Sequence, residues 1–166
     1  MWRICGGIDA QTLEIRAIEV TDNSVGDDAP MPPHLLVQIP TDEKLASVSA
    51  DGAYDAKACH EAIAQRGAQA IIPPRKNAKV WKDKSEGAQA RNQAVDACKR
   101  LGSRIWKKWS GYHRRSLVET KMHCFKRLGE RVMAKTFERQ VTELQVRVAL
   151  LNRFTQLGRP VTVSVA

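Results

Sequence analysis

The sequence predicts a mixed α/β fold in one domain, and three observations carry that expectation. Residues 8–20 alternate apolar and polar side chains about a polar turn, residues 45–72 read as strand, helix, strand, and residues 85–157 place apolar side chains at helical spacing. A chain of 166 residues, 43% apolar and 27% charged, has the size and composition of a globular domain with a buried core. Nothing in it approaches the roughly 20 consecutive apolar residues that span a bilayer. A short mixed segment follows Met1 where a secretory signal would be apolar, so a soluble cytosolic protein is expected.

Taken in order, the first element is a β-hairpin. Ile8 leads into the turn Asp9-Ala10-Gln11-Thr12, and Leu13, Ile15, Ala17 and Val20 suit the returning strand. Pro30, Pro32 and Pro33 punctuate the next segment, and a short helical piece at 34–38 ends by Pro40. Residues 45–50 are a short apolar run, read as a buried strand that runs into the turn signal Asp51-Gly52. Residues 55–66 carry Ala, Cys and Ile at helical spacing, with Asp55 as N-cap and Gly67 as stop. Residues 68–72 form a second apolar strand closed by Pro73-Pro74, so a βαβ unit with a parallel pair is expected. A basic loop bearing Trp81 follows at 75–84. Helices are then expected at 85–101, stopped by Gly102, at 113–129 and at 136–157. In the last, Phe137, Val141, Leu144, Val148 and Leu151 recur every three or four residues, the pattern of a packing stripe.

Cys5, Cys59, Cys98 and Cys124 are far apart and form no CxxC pair, and His34, His60, His113 and His123 complete no zinc spacing with them. Reduced, partly buried thiols are expected. The net charge of +9 is divided unevenly, with −6 on residues 1–70 and +15 on residues 71–166. A basic half of that size points to a polyanionic partner, although a solvated basic face has the same composition.

The chemistry concentrates on the helix expected at 113–129. On a wheel of about 100° per residue, Arg115, Lys126 and Tyr112 fall with Glu119 inside an arc of roughly 60°, spread over about 21 Å. Leu117, Val118, Cys124, Phe125 and Leu128 lie opposite, for packing. One face therefore offers a carboxylate, which can hold a divalent cation, between cations that can hold phosphates. A solvated face with an Arg115–Glu119 pair four residues apart is the plainer alternative.

The spacing Tyr112-x2-Arg115-x3-Glu119-x6-Lys126 resembles the signature around the last acidic residue of bacterial insertion-sequence DDE transposases of the four/five-like group. Ser49-Ala50-Asp51-Gly52-Ala53-Tyr54-Asp55 resembles the segment bearing that family's second catalytic aspartate. Ile72-Pro73-Pro74-Arg75-Lys76 is similar to its post-strand basic segment, and 140–153 to its final helix. The likeness covers roughly residues 2–160. It implies an RNase H-like mixed sheet with helices over residues 1–158, followed by a tail at 159–166. Asp51 and Glu119 would be the second and third acids holding Mg²⁺ or Mn²⁺ for DNA cleavage and strand transfer by phosphoryl displacement. Independently of the likeness, an acid ending an apolar strand stands where α/β sheets hold ligands; a turn former before Gly52 is the plainer account.

By the same resemblance Tyr112, Arg115 and Lys126 would steady the glutamate and contact the transposon end. Lys76, Lys79, Lys107 and Lys108, with Trp81, Lys82, Trp106 and Trp109, are candidate contacts to double-stranded DNA of the transposon ends and target. A packed Trp beside a solvated Lys is the alternative at each. The implied protein is cytoplasmic, at the nucleoid when on DNA, with a homo-oligomer left open.

One part of the pattern fails. The family's first catalytic aspartate precedes the hairpin, whereas Met1-Trp2-Arg3 resembles the start of the second strand. Asp9 matches the hairpin turn instead, and Gly6-Gly7 stand where a strand prefers branched residues. The expectation is an N-terminally truncated catalytic domain lacking its first strand and the usual preceding DNA-binding region, with an open sheet edge and little activity alone.

Overall fold

In the computed structural model, which describes residues 2–22, 31–129 and 131–158, the alternating N-terminal segment folds as the expected hairpin. Strands β1 (Trp2–Ile8) and β2 (Ile15–Asp22) pair antiparallel, Trp2 opposite Asp22 and Ile8 opposite Ile15. Asp9 turns the chain: its Oδ1 accepts from the amides of Gln11 and Thr12 at 2.6 and 3.2 Å. The outer edge of β2 is closed by side chains. Asn152 bonds both backbone groups of Ile15, at 2.8 and 2.9 Å, and Gln38 Oε1 accepts from the Ile18 amide.

Helix α1 (Met31–Val37) leads to the βαβ unit, with β3 (Ser47–Ser49), α2 (Lys57–Gln65) and β4 (Gln69–Ile71). β3 and β4 are parallel, with Ser47 opposite Gln69. The expected cap of α2 is corrected: the cap position is Ala56, with no side-chain bond, and Asp55 turns inward to be buried. Helix α3 (Glu86–Leu101) is capped as Ser85 accepts from the Ala88 amide. It crosses α2 at Gly87, where a Cβ would lie 2.7 Å from the His60 carbonyl carbon, so only glycine fits.

Gly102, at φ 84°, breaks α3 from α4 (Ser103–Trp109), a helix that its short basic and aromatic sequence did not announce. A 3-10 turn at Tyr112–Arg115 leads into α5 (Ser116–Arg127). The helix expected from residue 113 therefore starts tighter than α-helical geometry, which moves Tyr112 off the simple wheel. Helix α6 (Phe137–Leu157) follows, with Leu144 and Leu151 of the expected stripe buried and Phe137 exposed.

The single mixed sheet that the order of elements implied is not what forms among the described residues. There are two two-stranded sheets, β1–β2 and β3–β4, with no ladder between them. Two cores go with them. Ile15, Phe125, Leu144 and Leu151 join the hairpin to α5 and α6, while Leu36, Cys59, Ile63 and Ile72 join α1 and α2 to the parallel pair. Burying such side chains contributes about 1.5–3 kcal/mol each, so each core holds its own elements. No described helix is long and apolar enough to cross a membrane. Pro30 and the tail at 159–166 lie outside the described residues.

Candidate active site between the two cores

Asp51 follows β3 and α5 carries Glu119, so each carboxylate is held by a different core. They meet on one guanidinium. Arg115 Nη2 donates to Glu119 Oε1 at 2.8 Å, and Arg115 Nη1 stands 3.6 Å from Asp51 Oδ2. All three are accessible, with side-chain exposures of 30% for Arg115, 52% for Asp51 and 63% for Glu119. The arginine is thus a cation set between two carboxylates that water and ions can reach. Among the described residues, no group of three or more His, Cys, Asp or Glu stands close enough to hold a metal ion.

Tyr112 lies against the same arginine, with Arg115 Cζ 5.8 Å and Lys107 Nζ 5.3 Å from its ring centre. Burial pushes its phenol upward, partly offset by the charge of Arg115. Tyr54 stands on the other flank, its hydroxyl 3.9 Å from Cys5 Sγ. Burial first, then Cys5 and the negative charge of Asp51, push this phenol up to about 12, so it stays a neutral donor. Lys126, expected on the same face, is exposed at the far end of α5. Leu128, expected to pack, is 37% exposed, and Lys121 is buried instead, its ammonium on Thr155. Desolvation pushes that lysine downward.

The structure separates the basic and aromatic candidates. Lys76, Lys79, Lys82, Lys107 and Lys108 are exposed. Trp106 is 4% exposed and belongs to the core, whereas Trp109 is 76% exposed. Trp81 is half-buried against Arg91, 4.2 Å from the guanidinium to the ring centre. The tryptophans therefore divide into packed and presented ones, although Trp106 and Trp109, three residues apart on α4, would be neighbours on one face of a regular helix.

Sequence reading missed a second acid. Asp55, four residues beyond Asp51, has a side chain only 1% exposed. Its Oδ1 accepts from Arg91 Nε at 3.0 Å and faces His60 Nε2 at 3.1 Å; its Oδ2 accepts from Arg91 Nη2 at 3.1 Å and the Arg75 amide at 3.0 Å. Burial alone would raise this carboxyl, but the bonds from His60, Arg91 and Arg75 hold it well below the usual carboxylate range. With its lone pairs all engaged it has nothing left to offer a ligand. The only signal for it was Arg91 itself, a lone cation on the apolar side of α3.

The family model described as a transposase DDE domain matches residues 2–153, nearly the whole chain. No solved structure matches it.

Proposed function

On the premise that the chain belongs to the transposase DDE domain family, we propose that Asp51 and Glu119 are two of its metal-binding acids, used for phosphoryl transfer on DNA. The observation that carries this is Arg115, a cation already shared by the two carboxylates. Such a pair of accessible hard oxygen donors fits a divalent ion such as Mg²⁺ or Mn²⁺. When bound, the ion would supply charge neutralisation and activation of the attacking oxygen. The chain's own groups orient the reaction: Tyr112 and Arg115 steady Glu119, and the neutral phenol of Tyr54 flanks Asp51 without competing as an anion.

The four-point motif that runs from the 3-10 turn at Tyr112–Arg115 into α5 supports a place among bacterial insertion-sequence transposases of the four/five-like group, with an RNase H-like catalytic domain at 1–158. Its partners are then double-stranded transposon ends and target, met by Lys126, Lys107, Lys108 and the exposed ring of Trp109. The test is Mg²⁺-dependent cleavage and joining of duplexes carrying the element's ends. Turnover that Asp51→Ala and Glu119→Gln each abolish is the expected result, and turnover indifferent to both would overturn the site. A non-catalytic, end-binding role is the second reading, favoured by the charge of +15 on residues 71–166. Salt-dependent binding unchanged by Asp51→Ala, with no cleavage, would select it.

A further inference from the structure

The loop at 75–84 carries five cations against one acid, and that acid, Asp83, is paired with Lys57. A solvated basic loop needs no fixed shape, yet this one is tied down at both ends and in the middle. Asp55 holds the Arg75 amide at 3.0 Å, and Arg91 donates to the Lys79 carbonyl while lying on the Trp81 ring. Asn92 bonds both backbone groups of Trp81, at 2.8 and 2.9 Å. The edge of His60 meets the same ring, the two centres 5.5 Å apart. Lys76, Lys79, Lys82 and Lys84 project into solvent from this anchored backbone.

Burying a carboxylate and a guanidinium gains little stability over an apolar pair of the same size, so what such a cluster supplies is a definite arrangement. Here the arrangement is registered to the acid-bearing segment. Arg75 Nη2 donates to the Ala53 carbonyl at 3.1 Å, and a Cβ on Gly52 would come within 3.2 Å of the Pro73 carbonyl oxygen. The loop therefore leaves the fold within two residues of Asp51, in a fixed direction.

We infer that the loop at 75–84 is a preformed track for the phosphate backbone of duplex DNA leading to Asp51, and that Asp55, Arg91 and Asn92 are its positioning residues. This rests on the DNA-acting reading above but not on its metal chemistry. The four lysines, exposed and without an ion-pair partner among the described residues, are spaced along an anchored backbone, so they meet phosphates without first ordering a loop, and the binding loses less to immobilisation.

The test is duplex binding by the full chain in EDTA, followed by fluorescence anisotropy across a salt series. Lys76→Gln/Lys79→Gln/Lys82→Gln should weaken binding more than about tenfold and lower the slope of log Kd against log salt by about 0.9 for each phosphate left without its lysine. Arg91→Lys and Asn92→Ala keep every loop lysine, yet each should weaken binding about three- to tenfold and speed amide exchange at Trp81. Asn92→Ala removes no buried charge, so it serves where Arg91→Lys does not fold. Unchanged affinity and slope in the triple variant would overturn the track. Wild-type affinity in folded Asn92→Ala with an exchanging loop would overturn the positioning role. Failure of the wild-type chain to bind duplex at low salt would instead remove the DNA-acting reading itself.

Discussion

Asp51 and Asp55 stand four residues apart, each beside an arginine, and they are opposites. The Asp51 side chain is 52% exposed and shares Arg115 loosely, at 3.6 Å, with Glu119. The Asp55 side chain is 1% exposed and takes two bonds from Arg91, one from the Arg75 amide and a contact from His60. A satisfied, water-free ion pair is committed to the fold. An exposed one, worth about 0–1 kcal/mol, is free to exchange its cation. Proximity to the proposed metal site therefore says less about an acid's role than whether its oxygens are spoken for.

The contrast breaks most visibly under truncation. Asp55→Ala should cost about 3–5 kcal/mol in denaturant unfolding, because it strands the Arg91 guanidinium in the interior. Asp51→Ala should change stability by less than about 0.5 kcal/mol; equal costs would erase the distinction. The tryptophans of α4 give the same comparison one step smaller. Trp106→Ala should lose about 3 kcal/mol or more, and Trp109→Ala almost nothing in stability while weakening binding to duplex DNA carrying the transposon ends.

Acid should single out Asp55 as well. A carboxyl lowered in the folded state contributes stability that is complete above its ordinary value, near 3.8 for Asp55, and is lost as the pH falls below it. Unfolding free energy should therefore drop below that pH in the wild type and flatten there in Asp55→Asn. The smallest effect is the sharpest on mechanism. Removing the internal cation with Arg115→Gln should tighten Mn²⁺ binding about three- to tenfold, the loss of a competing charge outweighing the loss of its steadying bond to Glu119, and weaker binding would mean that the steadying effect is the larger.

Much of this was legible in the residues. The hairpin, the parallel pair and α3, α5 and α6 follow from period, caps and stops, and the resemblance on α5 led to the family that matches. What escaped was tertiary. Asp55 before a helix looks like a cap, and only the approach of Arg91 from α3 makes it a core acid. A seven-residue helix ending in Lys-Lys-Trp shows too little periodicity to be seen, so Trp106 and Trp109 could not be told apart. The division into two sheets depends on which strands find ladder partners, and apolar runs specify burial without specifying neighbours.

The central claim is that Asp51 and Glu119, held by separate cores, together form a divalent-cation site. Mn²⁺ titration of the purified chain by electron paramagnetic resonance tests it directly. Bound Mn²⁺ whose affinity falls more than about tenfold in both Asp51→Asn and Glu119→Gln is the predicted result. Mn²⁺ binding indifferent to both substitutions would contradict it.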